Sequence, residues 1–145
     1  MRLGIARAVW LGMLPLALAG CIVFTDPLGH QDALTQAQKR YTEAIRWGYL
    51  DRARGYIDPE RQREFEQLAP LFEAIRITDY EIGELELDEG TAAVTVTYRG
   101  YAHAQQVEKS FREHQEWTRA GGLSGEWRVQ SDLSESVISL LGPTL

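Results

Sequence analysis

Thr91-Ala92-Ala93-Val94-Thr95-Val96-Thr97-Tyr98-Arg99-Gly100-Tyr101 is the stretch that decides the fold. Val94, Val96 and Tyr98 alternate with Thr95, Thr97 and Arg99, a period of two that gives a strand one apolar and one polar face. Valine and threonine also suit a pleated, half-buried surface. Just upstream, Asp88-Glu89-Gly90 is a hairpin turn, with glycine supplying a positive φ. Before that turn, Ile77 to Leu87 predicts a partner strand. Tyr80 and Ile82 share one parity and Leu85 and Leu87 the other, so a bulge is expected around Gly83. Downstream, Val107 to Arg119 predicts another long strand on which Val107, Phe111 and Trp117 share a face. Ala120-Gly121-Gly122 turns the chain and Leu123-Ser124-Gly125 extends the loop. Glu126 to Ser131 then closes the sheet with Trp127 and Val129 pointing inward. Ser134 to Leu141 suits either a short terminal helix or a packing tail.

Upstream of the sheet the period changes. Leu34, Ala37, Tyr41, Ala44, Ile45 and Gly48 recur in steps of three and four, which predicts an amphipathic helix with a glycine at its end. Asp51 suits the cap of a short turn over Arg52 to Tyr56. Asp58-Pro59-Glu60 reads as a helix start, with Asp at the cap and Pro at the first helical position. A second helix to about Leu68 is expected, burying Phe65 and Leu68, with a further turn from Leu71 to Ile75 after Pro70. Helices followed by a meander of about four antiparallel strands give an α+β domain, with the helices on one face of a curved sheet.

The other informative stretch is Leu18-Ala19-Gly20-Cys21. It follows Arg2, Arg7 and an apolar run from Ala8 to Ala17 that Pro15 interrupts. The run fits a signal peptide h-region of about 7–15 residues and falls short of the about 20 needed to span a bilayer. The segment resembles the lipobox of bacterial lipoproteins. That resemblance implies cleavage after residue 20 and a diacylglycerol and N-acyl lipid on Cys21, with no other cofactor. Ile22, standing where an Asp would retain the protein at the inner membrane, implies the inner leaflet of the outer membrane, facing the periplasm. Two or more acyl chains anchor stably where one binds marginally. The expected organisation is a signal peptide over 1–20, a lipidated N-terminus and tether over 21–32, and one domain over 33–145.

Cys21 is the only cysteine, so the domain has no disulfide to make. Loss of Arg2 and Arg7 with the signal moves the formal charge from −6 to −8. An acidic domain argues against nucleic-acid binding, which needs clustered Lys and Arg to neutralise phosphate. The arginines from Arg40 to Arg63 are interleaved with Glu43, Asp51, Asp58 and Glu60, as on a solvated helical face.

The order of elements is similar to the NTF2-like (cystatin-related cone) superfamily. The resemblance rests on Tyr41-Thr42-Glu43-Ala44-Ile45, Gly48, Asp51, Ala53 and Tyr56-Ile57 at one end. At the other are Glu116-Trp117 and Gly125-Glu126-Trp127-Arg128-Val129. It implies a sheet wrapped around the first helix, an apolar pocket between them, and a capacity to form a homodimer. It does not imply one function, because this fold hosts isomerases, hydrolases, dehydratases and structural modules. Tyr41, Ile45, Trp47, Tyr80, Tyr98, Trp117 and Trp127 are the candidate pocket lining. Asp79, Tyr80, Tyr98, Tyr101, His103 and His114 are the groups a pocket reaction could draw on, but none forms a catalytic signature. Asp79 is expected at the rim, His103 in solvent, and His114 on the outer face with Arg112 and Glu116. No spacing of His30, His103 and His114 presents a metal site. The expectation is therefore a non-catalytic envelope module with a protein partner, using a polar flank of Arg99, Arg112, Glu113 and Glu116. A cone open to a small apolar ligand, or to isomerase or dehydratase chemistry, is the alternative.

Overall fold

A computed structural model describes residues 30–88, 90–121 and 125–142, so the segment expected as a signal peptide, Cys21 and most of the expected tether lie outside the described residues. The elements run α1 (His30–Trp47), α2 (Leu50–Arg54), α3 (Gln62–Glu66), α4 (Ala69–Glu73), β1 (Ile75–Ile82), β2 (Glu86–Asp88), β3 (Thr91–Ala102), β4 (Lys109–Arg119), β5 (Trp127–Ser131) and α5 (Leu133–Leu141). The sheet is antiparallel in the order β1-β3-β4-β5, with β2 continuing the β1 edge alongside β3. Helices pack on one face of this curved, open sheet.

α1 follows the expected period. Leu34, Tyr41, Ala44 and Ile45 are buried, and Gln38 and Thr42 share that face. The helix ends where Gly48, at φ +71°, donates to the Ile45 carbonyl while Tyr49 N–H reaches back to Ala44 at 2.8 Å. That pair of bonds is a Schellman stop, which requires a left-handed residue that glycine adopts without steric cost. The short β2 is exposed throughout, whereas strands β3, β4 and β5 each bury one parity. From β3 these are Ala92, Val94, Val96 and Tyr98, and from β4 Phe111, Glu113, Gln115 and Trp117. Trp127 and Val129 face inward from β5, as their alternation predicts.

The middle of the chain departs from the sequence expectation. Asp58 caps no helix. Its side chain accepts from Glu60 N–H while its own N–H donates to the Val129 carbonyl, and Val129 N–H donates to Tyr56. Residues 56–58 are thus laid along the β5 edge, and tertiary pairing overrides the local start signal. Helix resumes only in the two short segments α3 and α4, with Pro70 opening the second. α2 starts at Leu50 after Tyr49, so Asp51 lies inside it. The bulge sits between Ile77 and Asp79, and residues 83–85 break β1 from β2. Val107 lies before β4 and is exposed. The C-terminal segment is a helix that buries Leu133, Val137 and Leu140 against β4, β3 and α4, closing one end of the concave face.

Candidate functional site

The concave face carries one buried carboxyl group among the described residues, that of Glu113. It reaches that place by parity, being two residues from Phe111 on β4 and opposite Val96 on β3. Four donors converge on it. Oε1 accepts from the Tyr41 hydroxyl of α1 at 2.8 Å and from Ser131 Oγ of β5 at 2.5 Å. Oε2 accepts from the Tyr98 hydroxyl of β3 at 2.8 Å and from Gln115 Nε2 at 2.8 Å. Gln115 passes the network on. Its Nε2 also donates to Thr42 Oγ1, and its Oε1 accepts from Trp117 Nε1 at 3.1 Å and Gln38 Nε2 at 3.3 Å. Gln38 closes the loop by donating to Thr42 Oγ1 at 3.0 Å. The first helix and three strands are tied together at one acid.

Burial raises the Glu113 carboxyl above the ordinary range, opposed by the bonds from Ser131, Gln115, Tyr41 and Tyr98. Burial, and the neighbouring carboxylate, hold the Tyr41 and Tyr98 hydroxyls well above the usual tyrosine value. A general base needs an unshared lone pair within reach of a substrate proton. An ionised carboxylate offers about four acceptor positions, and here four protein donors fill them.

The surrounding space is occupied by aromatic rings. Trp117 takes the Tyr41 ring edge-on at 5.8 Å and the Tyr56 ring at 6.3 Å, while Tyr98 stacks on Phe111 at 5.2 Å. Ser131, the partly buried member of the network, also lines an apolar cleft with Phe65, Leu68, Val129 and Leu133. That cleft holds about 30 Å³, room for about one water molecule.

Five of the seven candidate pocket residues, Tyr41, Ile45, Tyr98, Trp117 and Trp127, are buried in the core and packed together. Tyr80 is half-buried, 6.3 Å from the Tyr98 ring. Trp47 belongs elsewhere: it is 47% exposed at the end of α1, because its position on the helix turns it away from the stripe of Leu34, Tyr41 and Ile45. Glu113 must be removed from the expected polar flank, since the β4 pleat sends it inward while Arg112, His114 and Glu116 face out. The signal was present, because Glu113 and Gln115 share the parity of Phe111 and Trp117. Asp79 sits at the surface in an ion pair with Arg99, and His103 is exposed beside Tyr101. His114 Nδ1 lies 2.9 Å from Thr95 Oγ1 on the outer face.

No protein-family model matches the chain, and no curated protein matches its sequence. Solved structures do match in shape. A SEC-C motif-containing protein from Rhodopseudomonas palustris aligns with a TM-score of 0.55 and 14% identity, over 70% of this chain and 86% of that one. A ketosteroid isomerase-like protein from Erwinia carotovora atroseptica gives 0.51 and 16%, over 67% and 88%. An LEH-like epoxide hydrolase of M. tuberculosis gives 0.51 and 12%, over 76% and 90%. At these identities the likeness is one of fold, and the fold is NTF2-like.

Proposed function

We propose that this chain is a lipid-anchored protein of the bacterial envelope, held by an acylated Cys21, whose NTF2-like domain acts as a non-catalytic interaction or structural module. The observation that carries the non-catalytic part is the Glu113 site. Its carboxylate positions are filled by four protein donors, and Tyr41, Tyr98 and Trp117 occupy the space a substrate would need. Catalysis requires a group that is both reactive and reachable, and this one is enclosed. The anchoring part is supported by Leu18-Ala19-Gly20-Cys21 behind its apolar run. Among the described residues, no helix is long and apolar enough to cross a membrane.

Two measurements test the parts separately. Cells expressing the full chain are grown with alkyne-tagged palmitate and fractionated. The parent should carry label in the outer-membrane fraction, and Cys21→Ala should lose both label and membrane association. Label retained by Cys21→Ala would overturn the anchor. Native mass spectrometry of the protein purified from its host should give the mass of the polypeptide and its anchor. A co-purifying small apolar mass would overturn the filled-cone reading in favour of a ligand pocket.

A further inference from the structure

The chain carries a formal charge of −6, yet arginines gather around two exposed aromatic rings at the end of α1. Trp47 and Tyr49 are 47% and 50% exposed and are separated by the Gly48 stop. The Arg46 guanidinium lies 4.6 Å from the Trp47 ring centroid, and that of Arg52 lies 4.9 Å from the Tyr49 centroid. A cation over a ring face is attracted by the ring quadrupole, and both rings remain about half exposed.

Elsewhere on the surface, Arg54, Arg61, Arg99 and Arg128 pair with carboxylates. Arg63 and Arg112, on other faces, form no ion pair among the described residues, and neither do Arg40, Arg52 and Arg76. All three line the clefts that flank Trp47. One cleft, of about 650 Å³, lies between the end of α1, α2, α4 and the start of β1, and holds Arg52, Arg76 and His103. The other, of about 560 Å³, holds Arg40, Arg52 and Tyr56. Both volumes fall in the range of about 300–1,000 Å³ that accepts a small ligand.

The lining excludes some occupants. Glu43, Asp51 and Glu73 share these clefts, so the patch is not a simple positive field. It offers separate guanidinium forks, that of Arg52 held against the Tyr49 ring, suited to two-point pairing with individual acid groups. A bilayer surface is flat and would meet the rims without entering the concavities. A chain of rings with intermittent acids would enter both.

We propose that the clefts on either side of Trp47 bind an acidic saccharide chain, with pyranose faces against the Trp47 and Tyr49 rings and carboxylates paired with Arg40, Arg52 and Arg76. The site stands on residues 40–76 and does not depend on acylation of Cys21.

The test uses the full chain as Cys21→Ser, so that no acyl anchor contributes, with hexagalacturonate as the probe. Cellohexaose is the neutral counterpart, and phosphatidylglycerol vesicles are the alternative surface. Titration calorimetry should show hexagalacturonate binding at least tenfold tighter than cellohexaose. Trp47→Ala and Arg52→Gln should each weaken it at least tenfold with an unchanged melting temperature. Arg112→Gln, on the outer face of β4, should bind like the parent. Equal affinity of parent, Trp47→Ala and Arg52→Gln would overturn the proposal, as would equal affinity for the neutral glycan or no binding at millimolar probe. Vesicle binding that disappears in Trp47→Ala, without glycan binding, would overturn it in favour of a membrane contact.

Discussion

Replacing Glu113 should expose how the fold holds together. In Glu113→Ala the Tyr41 and Tyr98 hydroxyls lose the carboxylate they donate to, and Gln115 Nε2 keeps only Thr42. Both hydroxyls are buried. An orphaned buried donor costs about 1–3 kcal/mol, and relief of the buried charge offsets part of that. The net expectation is about 3 kcal/mol, a large share of a domain stability of about 5–15 kcal/mol. Glu113→Gln keeps the volume, and the hydroxyls can turn to accept from its amide, so about 1–2 kcal/mol is expected. If the acid and both tyrosines are made apolar together, as in Glu113→Leu with Tyr41→Phe and Tyr98→Phe, much of the loss should return, because the two buried hydroxyls go with their acceptor and only Ser131 Oγ and one Gln115 N–H lose a partner.

The same residue has a pH signature. Its folded pKa is raised by burial, so between the unfolded and folded values the native state binds the extra proton. Stability from this group is therefore full below the ordinary carboxylate range and falls as pH rises through the folded value. Asp79, lowered by its bond to Arg99, acts oppositely and below the ordinary aspartate range, so the two windows separate. Urea unfolding of the parent and Glu113→Gln across a pH series gives the answer. The parent should lose stability relative to Glu113→Gln as pH rises above the ordinary carboxylate range. A parallel pair of curves, or a cost below about 1 kcal/mol for Glu113→Ala, would refute the claim that this carboxyl ties the network together.

Other substitutions test the architecture by the same unfolding assay. Tyr98→Phe removes one charge-assisted bond to Glu113 and should cost about 2 kcal/mol; no change would mean the hydroxyl is not used. Gly100→Ala would place a Cβ 2.5 Å from the Arg76 carbonyl and 3.2 Å from Ile77 Cα. The β1–β3 pair must then part, at about 1–3 kcal/mol. Val137→Ala on the fully buried side of α5 should cost about 1–3 kcal/mol, whereas the exposed Ile138→Ala should be close to neutral. Equal effects at 137 and 138 would show that α5 does not close the sheet.

Much of the fold was legible because it is carried by local period. The alternation of Val94, Val96 and Tyr98 and the spacing of Leu34, Tyr41 and Ile45 each identify a buried face without reference to the rest of the chain. Gly48 marked the end of α1 for an equally local reason. The failures came where distant segments intervened. Asp58 and Pro59 look like a helix start, but residues 56–58 are recruited to the β5 edge by Val129, about half the chain away. Trp47 looks like pocket lining by composition, yet its helical position sends it outward.

The sequence by itself determined the meander and the helix before it, because each is written in neighbouring residues. It also determined that Glu113 shares a face with Phe111 and Trp117. Only the tertiary structure decided what that means. The donors to the carboxylate come from positions 72, 15 and 18 residues away, and they meet only when strand register and helix placement are set together. An acid on an apolar face could equally have stood in an open pocket with its acceptor positions free. Closure of the face by α1, α5 and the aromatic rings, and the supply of a donor to each acceptor position, make it an internal tie.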